Sequence, residues 1–397
     1  MSVTPAEGLT LANVIALSFW LFALFNVLAI VAMSLVWYER KLLGRMQGRP
    51  GPTRVGPFGL LQPVADALKL VFKEDLTPGT ASRWLYFVAP LLVFVPSFVI
   101  WVTIPFSEDV VVRSLDMGLF FFVSVSVLSI VGLVLAGWTS NSKYAILGSF
   151  RSAAQLVSYE IPIIMVILTV AVAAGSLSFV DVVAMQDKVP YVAVLPLAFV
   201  VFLISGLAEV GRTPFDIYAA ESEVVGGPFV EYSGVHWAIF YLAEYVNTFV
   251  VGILAALLFL GGWEWPFGDV GREAGVALVL VKTYVVVGAL FWVRATYPRL
   301  RIDQLMSLGW KVLIPLSFAG FVAVAVQQFY EWPLWTLTVM SLAIGAVPIA
   351  VQLRYQRKPV IELARHYKEI AVVHEAQPRP VRTPEPALKP ATEGAEA

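Results

Sequence analysis

The sequence predicts an all-α polytopic membrane protein with about nine transmembrane helices plus an amphipathic interfacial helix in the first cytoplasmic loop. Three observations predict it. Apolar residues make up 59% of the 397, charged residues only 14%, and mean hydropathy is +0.79; a soluble domain carries about 25% charged residues. About nine segments reach or approach the ~20 apolar residues needed to cross a bilayer. Lys and Arg are dense in alternate loops and sparse in the others, as in a chain threaded through a membrane.

The apolar segments run over about 12–37, 84–106, 115–138, 158–175, 190–208, 236–261, 274–293, 311–330 and 334–354. The segment 158–175 is the shortest, and a tight turn at Glu331-Trp332-Pro333 separates the last two. Trp37, Trp84, Trp101, Trp138, Trp263, Trp292 and Trp332 stand near segment ends, where interfacial belts form. The first segment leads into a basic stretch with Arg40, Lys41, Arg45, Arg49, Arg54, Lys69, Lys73 and Arg83. Lys143, Arg151, Arg212, Arg294, Arg299, Arg301 and Lys311 fall on the same side, against Arg113, Lys188 and Arg272 on the other. The positive-inside rule then places the N-terminus outside and the C-terminus in the cytoplasm. The opening MSVTPAEGLT has no basic n-region and no cleavage site, so the first apolar segment is expected to direct insertion.

Residues 59–74 are too short and too charged to span. Leu61, Val64, Ala65, Leu68, Val71 and Phe72 recur at helical spacing, while Asp66, Lys69 and Lys73 take the other face. This predicts an amphipathic helix at the cytoplasmic interface; a loop helix packing on its own protein fits the periodicity equally. The basic, Gly- and Pro-punctuated run from Tyr38 to Gly59 could wall a cavity open to lipid, a geometry suited to a hydrophobic ligand with a polar head. Residues 1–357 thus form a transmembrane domain. Residues 358–397, rich in Pro, Glu and Ala, read as a largely disordered cytoplasmic tail.

Several chemistries are absent. With no Cys there are no disulfides and no thiolate-held metal or iron–sulfur centre. His236, His366 and His374 show no haem or zinc spacing, and no phosphate-binding Gly-rich loop occurs. No catalytic residue, metal ligand, covalently bound cofactor or nucleic-acid partner is expected.

What remains is acid in an apolar setting. From Glu209 to Glu244 the chain carries Glu209, Asp216, Glu221, Glu223, Glu231 and Glu244 against one base, Arg212, between segments long enough to span. Carboxylates near hydrocarbon are costly, and those that remain usually pair, line a water-filled path or relay protons. Thr213, Pro214 and Asp216 form a T-x-x-D capping pattern that predicts a helix ending at Gly226. Glu160 near the start of the fourth segment and Lys282 midway through the seventh are further charges at membrane depth. Together these groups suggest a chain of protonatable sites.

Seven runs resemble one family. ERKLLGRMQGRPGP, GPFGLLQPVADALKLVFKED, GWTSNSKYAILGSFRSAAQLVSYEIP, AEVGRTPFDIYAAESEVVGG, EYSG, FYLAEYVN and RATYPRLRIDQLMSLGWK occur in order over residues 39–311. They resemble the H-subunit family of the proton-pumping NADH:quinone oxidoreductase, respiratory complex I. The resemblance implies a non-redox subunit, not catalytic alone, that forms the quinone-access chamber with the peripheral arm and couples quinone reduction to proton translocation. It implies ubiquinone or menaquinone as substrate, with Fe–S clusters and FMN only in partner subunits. Expected partners are the peripheral-arm Fe–S and quinone-site subunits, small membrane subunits, antiporter-like subunits and membrane lipid, in the bacterial inner membrane. By motif it implies that Glu39, Arg40, Arg45, Val64, Leu68, Arg212, Phe215, Asp216, Arg294 and Arg299 belong to the quinone chamber. It implies a proton path through Glu160, Glu209, Glu221, Glu223, Glu231, Glu244 and Lys282.

Two positions depart from the family pattern. Ala219 stands where the family usually has the first Glu of PFD-x-x-E-A-E-S-E, so that acid is not required if this protein pumps. Thr53 stands where the family usually has Asn after Gly-Pro. A membrane subunit of an energy-converting hydrogenase-type complex is the alternative within the superfamily. A secondary transporter fits less well, because the acids cluster at cytoplasmic ends and no repeat is evident.

Overall fold

The computed structural model describes residues 11–187, 189–264 and 272–351; the predicted tail 358–397 lies outside them. By backbone proximity the chain divides into Met1–Gly345 and Ala346–Ala397. The described residues are helical, with no strands. Seven helices are long and apolar enough to cross a membrane, and two shorter apolar helices, Pro196–Glu209 and Trp335–Val351, fall on the other two predicted segments.

Helix α1 (Leu11–Met46) is longer than expected. The Gly- and Pro-punctuated run from Tyr38 reads as a loop, yet the helix continues through ERKLLGRM, whose residues are good helix formers with Arg45 in the last turn. It stops at Gly48, which takes a left-handed φ of 67°. Gly48 N donates to Arg45 O and Arg49 N to Gly44 O, the pairing that closes a helix on such a glycine. Short α2 (Gln62–Val71) follows. Its inner face is Gln62, Pro63, Asp66 and Leu70, while Leu61, Val64, Leu68 and Val71 are exposed and Phe72 just beyond it is 84% exposed. The apolar face therefore points away from the protein, which rules out the loop-helix alternative and fits an interfacial helix.

Next come α3 (Arg83–Val99), α4 (Gly118–Ser126) and α5 (Leu128–Thr139), the last two forming one span offset at Val127. Helix α6 (Lys143–Ala174) corrects the expectation of a short fourth segment: it has 32 residues. Hydropathy misses its first half because Lys143, Arg151 and several serines lower the average. Ser149, Ser152 and Ser158 nevertheless return their hydroxyls to carbonyls of the same helix. Small residues also let α6 approach its neighbours: a Cβ on Gly148 would collide with the backbone of Gly227.

Short helices α7 (Phe179–Ala184) and α8 (Tyr191–Val194) lead to α9 (Pro196–Glu209). Leu195, before Pro196, leaves helical geometry at φ −123° and ψ 56°, as a residue preceding proline tends to. One-turn α10 (Glu221–Val224) precedes α11 (Gly234–Phe259). Every residue of α11 from Thr248 to Phe259 is buried, and α1, α3, α9 and α12 (Arg272–Thr296) pack around it. A helix apolar on all sides belongs at the centre, and α11 is the hub that carries Glu244. The chain continues through α13 (Ile302–Leu308), a π-helical turn at Gly309–Leu313, α14 (Ile314–Phe329) and α15 (Trp335–Val351).

Of the tryptophans assigned to a belt, Trp84, Trp138, Trp292 and Trp332 are exposed. Trp101 is not a belt residue: it is 1% exposed and stacks on Phe249 at 5.3 Å.

Candidate functional site

The helix predicted from Thr213 to Gly226 does not form, and neither Thr213 nor Asp216 caps a helix. Only Glu221–Val224 is helical, and Thr213-Pro214 is cis. Tertiary partners replace the helical hydrogen bonds. Gln155 Nε2 donates to Ala208 O and Phe215 O, each at 2.8 Å, and Leu300 N donates to Pro214 O at 3.0 Å. Phe215, Ile217 and Tyr218 are thereby drawn inward and buried. Such a segment is polar in sequence yet folded into the helix ends as a plug.

Around that plug the charges form a layer. Glu39 is only 3% exposed. One of its oxygens pairs with Arg294 of α12, and the other accepts from the Tyr245 hydroxyl at 2.7 Å. Tyr241, one turn earlier on α11, donates to Tyr245 at 3.1 Å. Arg212, 7% exposed, lies over the Tyr245 ring at 4.5 Å and places its Nε 3.3 Å from Glu244 Oε1. Arg212 Nε and Nη2 make no aligned hydrogen bond, so its contacts are ionic and cation–π. Burial opposes its charge, but Glu244 and Tyr245 outweigh that and hold the guanidinium above its ordinary pKa. Burial, then Glu244 and Asp216, push the Tyr218 phenol well above its usual range, so it stays neutral.

The acids behind this layer converge. Glu160 from α6, Glu209 from α9 and Glu244 from α11 line one cavity, with Tyr218, Asn247, Ser126 and Ser129. An adjoining cavity shares Glu209, Asn247, Ser126 and Ser129 and extends to Ser97 on α3. Space lined by several polar groups can hold hydrogen-bonded water.

Other expected residues lie elsewhere. Arg40 pairs with Asp66 of α2 at 2.5 Å. Arg45, Val64 and Leu68 are exposed. Phe215 packs on Tyr159, ring centroids 5.6 Å apart, inside the core. Arg299 lies 3.8 Å from Asp216 and donates to Ser222. Glu223 pairs with Arg151 at 2.5 Å toward the surface. Glu231 sits in a turn whose carbonyl accepts from Tyr86, and the Glu221 side chain is outside the described residues. Lys282 is remote from the acids in its bonding: its ammonium donates to the carbonyls of Leu260, Gly262 and Glu264, closing the end of α11. No group of three His, Asp or Glu among the described residues could hold a metal.

Sequence reasoning missed Tyr241, Tyr245 and Asn247. An apolar helix with scattered aromatics reads as core. The available signal was the four-residue spacing of Tyr241 and Tyr245, which puts both phenols on one face.

The profile of the NADH dehydrogenase family matches residues 19–325. The chain is 50% identical over 312 residues to the H subunit of the NADH-quinone oxidoreductase of Geobacillus kaustophilus, covering 77% of this chain and 93% of that one. It is 43% identical over 328 residues to the corresponding H subunit of Dehalococcoides mccartyi, covering 83% and 91%. Against the H subunit of Paraburkholderia phymatum the identity is 44% over 320 residues, covering 78% and 90%.

Proposed function

The chain belongs to the H-subunit family of NADH-quinone oxidoreductase, and we propose that it borders the quinone chamber and passes the consequence of quinone reduction to protons in the membrane. It is a multi-pass membrane subunit and is not catalytic alone. The observation that carries the proposal is the continuity from Arg294–Glu39 through Tyr245 and Arg212 to Glu244, and onward to Glu209 and Glu160 around one cavity. A change of charge near the plug would be felt at Glu244 through Arg212, because buried charges are weakly screened. Glu244 faces both the guanidinium and the cavity, so protonation there can exchange with Glu209 and Glu160 through intervening water. Glu223, Glu231 and Lys282 take structural roles in this reading.

Helix α2 offers its free apolar face to lipid tails and to an incoming quinone, ubiquinone or menaquinone. Its partners are the other subunits of the complex, with the peripheral arm seated on the basic side. FMN and Fe–S clusters reside in those partners. Residues 1–357 form the membrane domain, with the N-terminus outside and the C-terminus in the cytoplasm. That orientation rests on the Lys and Arg distribution. A reporter fused after residue 397 is expected to be active only as a cytoplasmic fusion; periplasmic activity would reverse the topology.

The test of quinone access uses the intact complex. Val64→Asp and Leu68→Asp put charge on the apolar face of α2, which weakens its seating at the lipid interface. Both are expected to lower quinone reduction at least severalfold while NADH oxidation by an artificial acceptor at the peripheral arm stays intact. Equal loss of both activities would instead mark α2 as an assembly element.

A further inference from the structure

The join between α2 and the start of α11 carries a cluster that the reading above does not use. Leu76 N donates to Ser233 Oγ at 2.9 Å, and Ser233 reaches Glu74 O at 3.4 Å. One turn into α11, His236 Nδ1 lies 2.5 Å from Asp75 Oδ2. Their side chains are 15% and 31% exposed. The two atoms are in close contact without hydrogen-bond alignment. The imidazole packs on Phe87 with centroids 4.8 Å apart, and also meets Tyr86. Tyr86 stacks on Tyr232 at 4.2 Å and donates to Glu231 O at 2.8 Å. Gly234 has a φ of 52°, and a Cβ there would stand 3.1 Å from Lys73 O, so the connector lies directly on the helix start.

Helix α2 is a short rod with its outer face free. Arg40–Asp66 holds it near its middle, and the contacts at its far end set its direction. We propose that Asp75 and His236 are positioning residues that, beside the Ser233 contacts, tie the far end of α2 to α11, so that the interfacial helix and the acid-bearing helix α11 move as one body during quinone entry. The inference rests on the reading that α2 borders quinone access. If the pair is lost, α2 occupies its binding-competent position for less of the time. Apparent quinone affinity then falls by that fraction, with the chemistry unchanged.

The experiment uses the purified, intact complex with a short-chain quinone. Asp75→Asn and His236→Gln are each expected to raise the quinone KM about two- to fivefold, the scale of one partly exposed polar contact, with kcat within about twofold. The double variant is expected to be no worse than either single one, because both remove the same contact. Asp75→Glu, which keeps the charge, is expected to restore a KM near wild type. Hydrogen exchange at 62–76 is expected to quicken in His236→Gln. Wild-type KM and wild-type exchange in both single variants would overturn the inference. A fall in kcat at constant KM would also overturn it, since swinging of α2 changes only access. Unchanged quinone kinetics in Val64→Asp and Leu68→Asp would overturn the access reading separately.

Discussion

Glu39→Ala is expected to remove the assembled complex from the membrane. The carboxylate is nearly fully buried and serves two partners, the Arg294 guanidinium and the Tyr245 hydroxyl. Removing one partner of a buried pair strands the other charge, at a cost of about 3–5 kcal/mol. That is a large share of the ~5–15 kcal/mol that holds a typical domain folded. Glu39→Gln is expected to lose less complex than Glu39→Ala, because the amide oxygen still accepts a hydrogen bond even though the Arg294 charge is left unpaired. A native gel with subunit quantification checks both. Wild-type amounts of complex from Glu39→Ala would show that the pair contributes nothing to the fold.

Glu244→Gln is expected to lower quinone reduction at least tenfold per assembled complex, with the complex still present in the membrane. Gln keeps the shape and part of the hydrogen bonding but cannot titrate. It relieves the cost of a buried carboxylate but leaves the buried Arg212 guanidinium without that counter-charge, so some loss of stability is expected and rates are taken per assembled complex. The size of the effect follows from the role: positioned groups that exchange protons contribute about 10²–10⁴-fold, and water filling the cavity would recover part of that. Arg212→Lys is informative beside it. Lysine retains charge but loses the planar face over Tyr245.

Much of this arrangement is readable from residues alone, and the failures have identifiable causes. Hydropathy locates the spans because an apolar run of ~20 residues has few alternatives. It cuts α1 and α6 short because helices that leave the membrane become polar without ceasing to be helices. The T-x-x-D pattern at Thr213 predicts a helix that tertiary contacts cancel. Gln155 and Leu300, both distant in the chain, take the Phe215 and Pro214 carbonyls that a helix would have used. Periodicity finds α2 but cannot decide which way its apolar face turns. That depends on Asp66 meeting Arg40, an attraction between two residues on different helices. The convergence of Glu160, Glu209 and Glu244 comes from three separate helices, so no spacing encodes it. Lys282 looks like a membrane-depth functional charge and instead closes α11, since three carbonyls at a helix end satisfy an ammonium as well as a carboxylate does. Tyr241 and Tyr245 are hidden because a phenol on an apolar helix carries no charge to draw notice.

The central claim is that the three cavity acids couple quinone reduction to proton movement. Its most direct test is the simultaneous measurement of quinone reduction and proton pumping by the assembled complex in sealed vesicles, for Glu160→Gln, Glu209→Gln and Glu244→Gln. The expected result is a parallel fall of both rates in each variant, with NADH oxidation by the artificial acceptor preserved. Wild-type rates of both, from fully assembled complexes carrying all three substitutions, would contradict it.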